Sequence, residues 1–97
     1  MDRDAQIEKL KAQMDEWNAQ MHKLEARMRE ARAEGQERYR KYLDDVKEQQ
    51  RQAQEQLDKL RHAGEGAWED VLQGTKRAWE EYHQSLERAW RRFQDED

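Results

Sequence analysis

Few side chains in this sequence are of a type and spacing that could do chemistry. Glu80 and His83 make a Glu-x-x-His step, the spacing by which ferritin-like bundles set two metal ligands on one helix face. Such a centre also draws carboxylates from the core positions of neighbouring helices, and no apolar-seam position here is acidic. Glu80 and His83 therefore read as a solvated boundary pair, and no metal or cofactor is assigned. Met14, Met21 and Met28 with His22 have the thioether and imidazole groups of a copper(I) site, but a seven-residue interval is that of a helix core. The hydroxyls are Ser85, Thr75 and the tyrosines, with no cysteine and no GxxxxGK[ST] loop. Asp44-Asp45 lies on an exposed helix, without the contrasting surroundings that give two carboxyls separate acid and base roles. No catalytic residue emerges, and the chain reads as a non-enzyme.

The elements carrying these residues are more informative. From Ala67 to Phe93 the dipeptide Ala-Trp returns at Trp68, Trp79 and Trp90, eleven residues apart, with Val71, Tyr82 and Phe93 three residues after each tryptophan. Thr75 and Leu86 lie seven after the first two, and Gly74, Ala78, Ser85 and Ala89 form a small-residue column beside them. Eleven residues over three turns predict one helical face drifting gently right-handed. In the first part Ile7, Leu10, Met14, Trp17, Met21, Leu24, Met28 and Ala31 alternate steps of three and four, the heptad seam of a coiled coil. Asp2 or Asp4 is placed to cap that helix.

Beyond Gly35 the apolar residues Tyr39, Tyr42 and Val46 suggest a stutter in a continuing helix. The run ARAEGQERYRKY has no turn cluster, and Glu34/Arg38, Glu37/Lys41, Glu25/Arg29 and Glu55/Lys59 are spaced as i,i+4 pairs. Gly64 and Gly66 are stronger punctuation, Gly64 suiting a left-handed residue past a helix end and Gly66 an N-cap.

The expected architecture is all-α and a single domain, residues 1–97. A helix over about 2–62, a turn near 64–66 and a helix over about 67–95 would form a long hairpin. Sixty residues span about 90 Å, so the second helix covers half of the first. The bare heptad half then finds cover in a second copy, as an antiparallel domain-swapped dimer. The alternative is a monomeric three-helix bundle with a turn at Gly35. The self-association seam comprises Ile7, Leu10, Met14, Trp17, Met21, Leu24, Met28, Trp68, Val71, Trp79, Tyr82, Leu86, Trp90 and Phe93.

Charged residues make up 43% of the chain and apolar ones 34%. That balance borders on disorder, and the sustained helical period with no proline decides for helix. The net charge of −4 has both signs interleaved, so no basic block is available for nucleic acid. Between Ala67 and Phe93 five acids balance five bases, which gives no attraction to anionic lipid. A membrane surface is thus a possible but unfavoured partner, through the eleven-residue repeat acting as an amphipathic lipid binder. The charged MDRDAQIEKL start predicts a cytoplasmic chain.

The stretches KLKAQMDEWNAQMHKLEARM and LRHAGEGAWEDVLQGTKRAWEEY resemble small bacterial coiled-coil proteins, whose cyanobacterial members are salt- and light-stress-induced. The resemblance covers most of the chain and implies a non-enzymatic helical protein with a stress association and no catalytic residues to transfer. Gly35 stands where an ordinary helix former is expected of that family.

Overall fold

The computed structural model describes residues 3–95, in three helices: α1 (Arg3–Glu30), α2 (Ala33–Arg61) and α3 (Trp68–Asp95). They are nearly equal in length at 28, 29 and 28 residues, about 42 Å each by the helical rise. Side by side they make an all-α bundle of 51 × 18 × 17 Å. Asp2, one of the two proposed caps, lies outside the described residues, while Asp4 sits in the first turn of α1.

The unbroken helix over 2–62 does not form: the chain folds back at Ala31 and Arg32, giving the three-helix arrangement of the alternative reading. Nor is Gly35 the turn, for it lies inside the first turn of α2. The Ala31 N–H closes the end of α1 on the Met28 carbonyl (3.1 Å), and Arg32 is extended at φ −64, ψ 156. The Gln36 side chain then reaches back and donates to the carbonyls of Ala31 (3.1 Å) and Arg29 (3.4 Å). These are carbonyls that a helix end leaves without partners. Folding back also lets Met14, Met21 and Leu24 go inside, which outweighs one interrupted helix in a sequence whose apolar face needs cover.

The second turn falls at the glycines as expected. His62 ends α2, its N–H donating to the Lys59 carbonyl (3.2 Å) and its Nδ1 lying 2.8 Å from the Asp58 carbonyl, while the Ala63 N–H donates to the Leu60 carbonyl (3.3 Å). Ala67 N–H closes on Gly64 O (3.1 Å), and Ala67 O accepts the first bond of α3 from Val71 (3.0 Å). Ala67 thus takes the N-cap place proposed for Gly66. Gly64 is not left-handed, and among the described residues none has positive φ. The connection turns between Gly64 and Ala67.

Every helix buries a seven-residue pattern. In α3 the inward residues are Trp68, Leu72, Thr75, Trp79, Tyr82, Leu86, Ala89 and Phe93, all 9% exposed or less, in steps of four and three. This corrects the eleven-residue face. Trp68 to Trp79 is 4+3+4 and stays on the seam, whereas the next eleven places Trp90 one residue past Ala89, half-buried at the flank. Leu72 takes the core place and Val71 the edge. In α2 the series is Tyr39, Leu43, Val46, Ala53, Leu57 and Leu60, with half-buried Gln50 completing the spacing. Leu43 is inside and Tyr42 beside it, so no stutter interrupts α2. Helices α2 and α3 pack most closely, α1 and α3 least. The small-residue column explains the first of these: a Cβ on Gly74 would sit 3.1 Å from Gln56 Oε1 on α2.

Candidate functional site

The most chemically distinctive region is where the middle of α1 lies on α3. The seven-residue spacing of α1 brings Trp17 to the seam edge, where its ring meets Tyr82 edge-on (centroids 5.8 Å), Trp79 at 6.5 Å and His83 at 5.0 Å. Edge and tilted contacts of this kind add to area burial. Next to Trp17, Asn18 Oδ1 accepts a hydrogen bond of 2.7 Å from the Tyr82 hydroxyl. Burial pushes the Tyr82 phenol well above the ordinary phenol range, because the phenolate would lose its water there. Trp79 Nε1 is buried with no acceptor, an unmade bond that costs about 1–3 kcal/mol and is tolerated for the indole's apolar area.

The expected seam residues divide by depth. Met14, Met21, Leu24, Trp68, Trp79, Tyr82, Leu86 and Phe93 are buried; Ile7, Leu10, Trp17, Met28, Val71 and Trp90 are half-buried. Four of the partly exposed six belong to α1, the helix least enclosed by the other two. Three rings at the ends of the bundle are covered by guanidinium groups instead: Arg3 over Trp68 (4.8 Å), Arg27 over Trp90 (5.4 Å) and Arg92 over Tyr42 (5.6 Å). Tyr39 and Phe93 stack at 4.0 Å where α2 begins and α3 ends.

The chemical candidates are each engaged in ordinary contacts. Glu80 accepts from Gln84 (3.3 Å), and His83 pairs with Glu87 (3.4 Å) while lying on Trp17. Among the described residues no three ligand-type side chains converge. Met14 and Met21 face the core while His22 stays outside beside Glu25 (4.0 Å). Ser85 donates to the Tyr82 carbonyl (2.8 Å), and Thr75 donates to Val71 O (2.8 Å) and Gln56 O (3.3 Å) across to α2. Both are buried hydroxyls satisfied by backbone, the usual state of such groups. Asp45 pairs with Arg88 (3.5 Å).

Glu25 takes Arg29 (3.7 Å) as its spacing suggested and also Lys47 of α2 (3.6 Å), while Glu55 pairs with Arg51 on its other side from Lys59. Ion pairs this exposed fix orientation more than they stabilise. Sequence reasoning missed Asn18, Gln36, Leu43 and Leu72. Leu43 and Leu72 belong to the adjacent apolar pairs Tyr42-Leu43 and Val71-Leu72, where sequence marks the pair but not its inner member, and nothing local marks Asn18 or Gln36.

No family model, curated protein or solved structure matches this chain. Among the described residues no helix is long and apolar enough to cross a membrane.

Proposed function

We propose that the chain is a non-enzymatic interaction protein that self-associates by exchanging α1 between two copies. The observation that carries this is the junction at Ala31–Arg32. It lacks a glycine in a left-handed conformation, α2 has no side-chain N-cap, and the surrounding residues are helix formers apart from Gly35. A turn so weakly specified competes with a helix running straight from α1 into α2. In the open form α1 reaches a second chain and makes there the same contacts it makes here, the usual logic of domain swapping. The half-buried Ile7, Leu10, Trp17 and Met28 keep their packing in the exchange, since the second copy's α2–α3 hairpin offers them the same face.

The resulting assembly is a coiled-coil dimer. The stress association implied by the resemblance belongs to this reading, as the circumstance in which such an assembly serves. A cytoplasmic setting fits the cysteine-free, evenly charged sequence. Sedimentation of the full chain at micromolar concentration tests it: an elongated species of twice the chain mass is expected, and a compact single chain at every concentration would contradict it.

A further inference from the structure

The sparse contact between α1 and α3 leaves a groove of about 640 Å³ towards the end of the bundle that begins α1 and α3, within the range of small-molecule sites. Its apolar surface comes from Leu10 and Ala5 on α1 and Leu72 on α3. One lysine stands on each wall, Lys9 from α1 and Lys76 from α3, and among the described residues no acidic one lines the space. Neither lysine has an ion-pair partner among the described residues. Lys9 and Lys76 give the apolar strip between them a cationic flank on both walls. On the α1 wall Gln6 has a buried Oε1 with no donor.

We propose that this groove binds a free single-chain carboxylate, its hydrocarbon tail along Leu10, Ala5 and Leu72 and its headgroup between Lys9 and Lys76. From Ala5 to Gln13 the α1 wall runs about 12 Å, which suits a tail of medium length. A symmetric second copy is a poor occupant, because it would bring the same lysines towards each other. The proposal is separate from self-association, since the same two helix faces form the groove whichever chain supplies α1.

The test is titration of the isotope-labelled full chain with dodecanoate below its micelle concentration, followed by backbone amide NMR. Saturable shifts confined to residues 5–13 and 72–76 are expected. Affinity should rise up to about fourfold per methylene from octanoate to dodecanoate. The double variant Lys9→Glu, Lys76→Glu should bind at least about tenfold more weakly with unchanged helicity, and Lys76→Gln alone serves if the double variant misfolds. Dodecyltrimethylammonium, with the same tail and the opposite charge, should also bind at least about tenfold more weakly. Equal binding of the two surfactants, shifts spread over the chain, no saturation, or a response to anionic vesicles alone would each overturn it.

Discussion

The Tyr82 hydroxyl donates to Asn18 Oδ1 at 2.7 Å across 64 residues of sequence, and this bond ties α1 to the α2–α3 hairpin at the centre of the bundle. Its partners sit among rings, with Trp17 edge-on to Tyr82. Removing either group forfeits about 1 kcal/mol. In chemical denaturation Tyr82→Phe and Asn18→Ala should each show that loss, and the double variant should lose less than the two added together. Strict additivity would mean the bond contributes nothing.

The same burial sets an alkaline response. Tyr82's phenol is raised in the folded chain, above the value of about 10 it has unfolded. The stability gained by keeping it neutral is therefore complete below pH about 10 and declines as pH climbs towards the folded value. Near-ultraviolet titration of folded wild type and Tyr82→Phe should give the same phenolate signal just above pH 10. A larger wild-type signal there would show Tyr82 in contact with water.

Trp79 and Trp90 belong to one sequence repeat but occupy different depths, 4% exposed against half-buried. Trp79→Ala should cost roughly 3–5 kcal/mol, as large core truncations do, and Trp90→Ala about 1 kcal/mol. Equal costs would restore the eleven-residue face as the packed one.

Gly35 lies in the first turn of α2 with ordinary helical backbone. A Cβ there would meet Tyr39 and Ala31 at 3.5 and 3.6 Å, normal contact distances. Gly35→Ala should raise the thermal midpoint, stabilising by up to about 1 kcal/mol; a loss of stability would show that the turn needs the glycine.

The inward face of α1 was legible because its heptad admits a single apolar face, and Met14, Met21 and Leu24 on that face are buried. The glycine turn was legible for its composition. The Ala31–Arg32 break was not: no local residue asks for it, and it forms because tertiary burial of Met14, Met21 and Leu24 rewards folding back. That break resets the register, so Tyr42 and Leu43 could not be told apart from the N-terminal seam. At 71 and 72 the eleven-residue repeat selected Val71, and only packing against α2 shows that Leu72 is the inner one. The seven-residue spacing of Met14 and Met21 marked them as core, and both are buried. The Tyr82–Asn18 bond needed the folded topology.

The exchange of α1 stands or falls with the junction, and Ala33→Pro addresses it directly. Ala33 is the first residue of α2, where proline is accommodated, and Arg32 before it already has the extended backbone that proline favours. A helix continuous through this point would lose about 3 kcal/mol or more in each chain. Light scattering on wild type and Ala33→Pro at the same micromolar concentration should return two chain masses for the first and one for the second, with equal helicity. One mass for both, or two for both, would contradict the exchange.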